Sequence, residues 1–180
     1  PTRRSSDLLQ QYAEGIRIKW PNDIYFGDKK LCGILIENSL STALGTIDYS
    51  IVGIGVNINQ QVFDKSLPNP VSLWQILGKK TDIKTVMSDI LAKLDFYRSW
   101  IENKEYDKLL EVYYQSLYRK DEWHLYKRRE VSLKPVQIQT SAENAFKGCI
   151  RGVDLAGQLL VETEQGEMNR FHFKEIEFVI

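Results

Sequence analysis

The chain has 180 residues, of which 43% are hydrophobic and 27% charged, the composition of a folded domain with a real core rather than of a disordered segment. Its 24 basic residues balance 24 acidic ones, which removes any general attraction for nucleic acid or an anionic membrane; an anion site here must be local. No apolar run approaches transmembrane length and no signal peptide is visible, while Cys32 and Cys149 match no metal spacing and suit a reducing, cytoplasmic setting.

The polar start "PTRRSSDLLQQ" carries no Met, so the natural N-terminus is expected further upstream. Leu8, Leu9 and Tyr12 fall at helical spacing, with Ser6 or Asp7 as cap and Gly15 as stop. "GIRIKW" alternates as a strand, "PNDI" bends, "IYF" is a short strand, and "GDKK" is a hairpin turn into the longer strand "KLCGILIENSL". "TIDYSIVGIGVNIN" makes another long strand. Residues 60–70 hold two Pro and one Asn and read as a loop.

From Val71 to Leu117 the period becomes helical. "SLWQILG" is a short helix capped by Ser72 and stopped by Gly78; "DIKTVMSDILAKLDFYRSWIEN" puts Ile83, Met87, Ile90, Leu91, Leu94 and Tyr97 on one side; "YDKLLEVYYQSLY" is a third helix. Tyr97, Trp100, Tyr106, Tyr113, Tyr114 and Tyr118 are expected to be core aromatics. The polar run up to Arg129 reads as a linker. Beyond it the period switches to two, with short strands at "VSLK", "VQIQT", "AFKGCIRGVD", "GQLLVETEQG" and "MNRFHFKEIEFVI". The plan is α+β: a mixed sheet with helices over residues 1–128, then a small β-barrel over 129–180.

In "IVGIGVNIN" the side chains of Val52, Ile54, Val56 and Ile58 share one face, and Gly53, Gly55 and Asn57 share the other. Two glycines at i and i+2 mean either that a ligand lies flat on the backbone or that a helix or another sheet packs closely there. Lys19 leaves the face of Ile16 and Ile18. Asn22 and Asp23 form a corner, and Lys30 begins the strand that holds Gly33. Each lysine alone reads as a solvated surface residue; clustered around one bend beside a glycine floor, they suggest an anion site. Cys32 has no His or acid at a diagnostic spacing and reads as a buried thiol. His124 and His172 are isolated, His172 in an alternating strand, and neither suggests a metal site.

The blocks "KWPNDI", "KLCGILIE" and "GIGVNIN", in this order and spacing, resemble the biotin protein ligase family over roughly residues 10–180. The short helix near "PVSLWQILGK" and the terminal β-region fit as well. The resemblance implies a biotin/lipoate ligase-like catalytic core, truncated at its N-terminal side, followed by an SH3-like barrel. It implies an ATP-dependent ligase that makes biotinyl-5′-AMP and transfers biotin to a lysine of a biotin carboxyl carrier protein, with ATP, biotin and Mg²⁺ as ligands and a homodimer as a compatible assembly. Lys30 matches the family lysine that contacts the biotin carboxylate and the adenylate, and Lys19 a second lysine beside the phosphates. Gly33, Gly53 and Gly55 would let ligand approach, and Asn57 would meet the phosphate end or Mg²⁺. Asp23 would place Mg²⁺, orient Lys19, take the acceptor lysine's proton, or simply cap the turn; Asn22 would line the site or serve the turn.

The family's Gly- and Arg-rich nucleotide loop and its upstream biotin block have no counterpart in these 180 residues, so the isolated chain is expected to make little biotinyl-AMP. Two alternatives stand beside this reading. One is a lipoate ligase or lipoyl transferase, against which the Trp-Pro of "KWPND" and the "KLCGILIE" block speak. The other is a binding module without chemistry, against which Lys19, Lys30 and Asn57 speak.

Overall fold

A computed structural model describes residues 7–41, 46–129 and 145–180. They form two compact units, Pro1–Ser116 and Leu117–Ile180. The expected strands "VSLK" and "VQIQT", and Ser6, lie outside the described residues.

In the first unit α1 (Asp7–Gln10) leads into β1 (Ile16–Lys19), β2 (Asp23–Phe26), β3 (Lys29–Ser41) and β4 (Thr46–Val56). The four strands pair in chain order, each antiparallel to the next. One parallel bridge, Lys30 to Pro70, joins the following loop to β3. The β2–β3 turn is "GDKK" as expected: Gly27 takes φ +54°, and Phe26 faces Lys29.

Three helices follow: α2 (Leu73–Leu77), α3 (Ile83–Glu102) and α4 (Tyr106–Ser116). Helix α2 has a complete capping box, with Ser72 accepting from the Gln75 backbone and Gln75 reaching back, and it ends on Gly78 in the left-handed region. Asp82 caps α3 through Thr85. The core gathers Leu9, Ile16, Ile24, Leu31, Cys32, Val71, Leu73, Val86 and Ile90. A wholly buried leucine such as Leu31 or Leu73 contributes about 1.5–3 kcal/mol.

The second unit is a five-stranded antiparallel sheet in the order β8-β7-β6-β5-β9. Its strands are β5 (Trp123–Arg128), β6 (Ala145–Val153), β7 (Leu159–Thr163), β8 (Met168–Phe171) and β9 (Ile176–Phe178). Tyr126, Cys149, Leu159 and Val161 are fully buried in it. Phe146 stacks on Phe171, and the Arg128 guanidinium lies over both rings.

Four expectations change. The charged run before Arg129 is not a linker: residues 123–128 are β5, and Tyr126 is its buried anchor. On α3 the buried positions are Val86 and Ile90, while Ile83, Met87, Leu91 and Leu94 are exposed; the helical period favours the latter stripe, and packing overrides it. Tyr106 is exposed as well. His172 lies beyond β8, in the turn before β9 that Lys174 makes with positive φ, and bonds Gln158 and Glu175.

Candidate functional site

Strand register decides which side chains meet. Lys19 faces Asp23 across β1 and β2, Asp23 faces Gly33 across β2 and β3, and Gly33 faces Gly55 across β3 and β4. Directly opposed residues share a face of the sheet. Lys19, Asp23, Gly33 and Gly55 therefore line one face, and Gly53 lies farther out on it, opposite Leu35. The other face carries Ile16, Ile18, Ile24 and Cys32 toward the core.

Plain alternation would put Lys30 on that core face, in phase with Cys32. A bulge prevents this. Ile24 pairs with Cys32 but Tyr25 with Lys30, so Leu31 has no partner across β2 and the phase slips by one. Lys30 thereby joins Tyr25 and Asp23, and its Nζ lies 2.6 Å from Asp23 Oδ1. The pair stands over Gly33: a Cβ there would sit 3.3 Å from Lys30 Nζ and 3.6 Å from Asp23 Oδ1. Glycine at this point makes room for the pair. The Lys19 ammonium lies 5.1 Å from the centre of the Tyr25 ring.

The two other glycines answer the question left open by their spacing. A Cβ on Gly53 would meet only its neighbour Leu35, at 3.9 Å or more, and one on Gly55 only the Gly33 carbonyl, at 3.8 Å. Among the described residues no helix or second sheet presses on this floor. Asn57 follows the floor: its backbone donates to the Leu31 carbonyl and its side chain, at 3.4 Å, to that of Lys30. Asn22 is tied differently. Its side chain donates to the Ile34 carbonyl at 2.6 Å while Ile34 N donates back to Asn22 O, so it staples the bend to β3.

Cys32 lies beneath the site. Burial pushes its thiol up to about 12, with the Asp23 charge adding to the rise; at neutral pH it is a protonated core group, as its sequence setting suggests. Among the described residues no three His, Cys, Asp or Glu side chains gather into a metal cluster. Asp23 offers one carboxylate, shared with Lys30. Such a set fits a cation carried mainly by substrate phosphates rather than one caged by protein. An apolar cleft of about 230 Å³ opens on the opposite face, among Ile16, Ile18, Ile34, Ile54 and Tyr113. Lys30, Asp23 and the glycines are not in its walls.

Two contributors escape a sequence reading. Leu31, as the bulge residue, carries no signal of its role. Asn69, whose backbone and side chain hold the Lys30 region, shows only as an Asn-Pro turn signal.

Residues 9–57 match the model of the biotin/lipoate A/B protein ligase family. The chain is 30% identical over 154 residues to the bifunctional ligase/repressor BirA of Escherichia coli, covering 84% of this chain and 43% of that protein. It is 32% identical over 163 residues to BirA of Bacillus subtilis (86% and 44%) and 26% identical to the human biotin–protein ligase (87% and 20%). The chain thus spans less than half the length of these relatives. The fold is similar to that of the Aquifex aeolicus biotin protein ligase solved with biotin and ATP. That match has a TM-score of 0.70 at 24% identity and covers 96% of this chain and 66% of that one. The matched family segment contains every residue of the face just described, and this chain is similar in sequence to these ligases over most of its own length.

Proposed function

We propose that the chain is the nucleotide- and biotin-handling portion of an ATP-dependent biotin–protein ligase. The observation that carries this is the juxtaposition of Lys30, Asp23 and Lys19 above an open floor of Gly33, Gly53 and Gly55. The human relative, named a biotin–protein ligase, supports biotin over lipoate.

The chemistry follows from the charges. In the first step a biotin carboxylate oxygen forms a bond to the α-phosphorus of ATP and pyrophosphate leaves. Both reactants are anions, and a fixed ammonium between them lowers the barrier most where water is excluded. Lys30 is that ammonium, held by Asp23 at 2.6 Å, and Lys19 adds positive charge at the phosphate side. In the second step the amine of an acceptor lysine bonds to the biotinyl carbonyl carbon and AMP leaves with the bonding pair. The amine must shed a proton, and Asp23 is the carboxylate placed to take it. Gly53 and Gly55 leave the floor bare for the flat adenylate, and Asn57 borders it, while Asn22 lies in the wall of the opposite cleft and serves the turn. Mg²⁺, when bound, would be held by the phosphates with Asp23 and Asn57 and would neutralise phosphate charge.

The acceptor is a biotin carboxyl carrier protein, and the free edge of β4 suits a homodimer. The second unit, which begins at Leu117 and includes β5, is read as an SH3-like barrel. A cytoplasmic location fits the two free thiols, and no described helix is long and apolar enough to cross a membrane.

The test is calorimetric titration of the chain with a non-hydrolysable biotinyl-adenylate analogue, beside Lys30→Ala. Tight binding that the substitution weakens at least about tenfold, or 1.4 kcal/mol, supports the assignment. Equal binding by both proteins would remove Lys30 from it.

A further inference from the structure

The bulge that turns Lys30 onto the site face disturbs the ladder there, and the backbone groups it displaces need partners elsewhere. They find them about forty residues on. Lys30 N donates to Asn69 O at 2.7 Å, and Val71 N donates to Lys30 O at 2.9 Å. Residues 69–71 thus form a strap along the start of β3. The Asn69 side-chain amide donates to the Asp28 carbonyl at 2.6 Å, in the turn between β2 and β3. It also reaches Tyr25 Oη at 3.5 Å, and Tyr25 carries Lys19 over its ring. One side chain therefore ties together the strap, the turn that precedes Lys30 and the ring under the second lysine.

We propose that Asn69 is a positioning residue: its amide N–H locks the β2–β3 turn to the strap and so holds the Lys30 ammonium on Asp23, over Gly33. What Lys30 does once held rests on the ligase reading; the positioning itself does not. The donor is the essential feature. Aspartate has the same shape without an N–H and would set a carboxylate against the Asp28 carbonyl. Glutamine keeps the N–H on a longer arm.

The test is trace acetylation of the purified 180-residue chain with acetic anhydride, quantifying Lys30 against exposed Lys29 by fragment mass spectrometry. In the wild type Lys30 reacts more slowly than Lys29, because Asp23 holds its ammonium. Asn69→Asp is expected to raise the Lys30:Lys29 ratio about fivefold, the scale of one lost hydrogen bond, and Asn69→Gln to restore it toward the wild-type value. Asn69→Ala is the second donor-free variant if the aspartate variant fails to fold. An unchanged ratio in a folded donor-free variant overturns the proposal, and so does a glutamine variant as labile as the aspartate one. Titration with the biotinyl-adenylate analogue separates the two readings. A shifted ratio in a chain that binds no analogue keeps the positioning role and removes the ligase reading. Analogue binding that depends on Lys30 but ignores Asn69, with the ratio unmoved, does the reverse.

Discussion

Gly55 separates a structural glycine from a functional one. A Cβ there meets nothing closer than the Gly33 carbonyl at 3.8 Å, and an alanine in a strand interior is about 0.5–1 kcal/mol better than glycine. Gly55→Ala is therefore expected to hold or raise the melting temperature while lowering affinity for the biotinyl-adenylate analogue. A variant that binds as well as wild type would show that no ligand lies on this floor. Gly33→Ala should act through Lys30 instead, since its Cβ meets the flexible end of that side chain at 3.3 Å. Cys32 gives a pH prediction. Its thiol is raised from 9.0 to about 12, so the folded state keeps the proton that the unfolded state releases. Stability from this source is complete below about pH 9 and is lost as pH rises toward 12. Tyr12 and Tyr113, both raised to about 12, fall in the same window. Urea unfolding between pH 9 and 12 should show a falling midpoint, and Cys32→Ala should flatten that fall; an identical slope would exclude the thiol as a contributor.

Among the elements, α2 was legible to the residue. Ser72, Gln75 and Gly78 are local signals whose partners lie within one turn. Ser72 also donates to the Gln60 carbonyl at 2.6 Å, so it fastens the loop as well as the helix. Ser72→Ala should cost about 1 kcal/mol for the cap, read as a lower melting temperature; no change would mean that the capping box is redundant. Strand β3 shows the opposite case. The alternation of "KKLCGIL" assigns Lys30 and Cys32 to one face, and the bulge at Leu31 separates them. Nothing local to those residues announces it; the Lys30 backbone bonds instead to Asn69 and Val71, about forty residues on. On α3 the apolar period favours the stripe of Ile83, Met87, Ile90, Leu91 and Leu94, yet contact with the core buries Val86 beside Ile90 and leaves Met87 and Leu91 exposed.

The molecule divides into two cores, and a perturbation in one should be felt there first. In β6 of the second unit a Cβ on Gly148 would come within 2.6 Å of Val161 Cγ1, well inside contact distance. Overpacking of this kind costs about 1–3 kcal/mol. Gly148→Ala should depress the second unit's stability while leaving analogue binding by the first unit intact; loss of binding would mean that the units do not fold independently. The first unit ends its sheet on β4, a strand of eleven residues with one charge, Asp48, and exposed Tyr49 and Ile51. Long apolar edges of this kind pair with other chains. Sedimentation should show association that rises with concentration and recedes in Ile51→Lys; a concentration-independent monomer would count against the β4 edge as a dimer contact.

Periodicity, turn residues and caps determined the strand–turn–strand order through residue 56, the helices that follow and the short strands from Ala145 on, because each depends on neighbours a few positions away. Three quoted blocks were enough for the resemblance that the family segment and relatives bear out. Tertiary structure alone decided which face carries Lys30, that the floor of Gly53 and Gly55 is open, and that Asn69 bonds the backbone at Asp28 and Lys30. These are facts about phase and proximity across strands. A slip of one residue inverts every side chain after it, and a hydrogen bond across about forty residues leaves no mark on the local pattern.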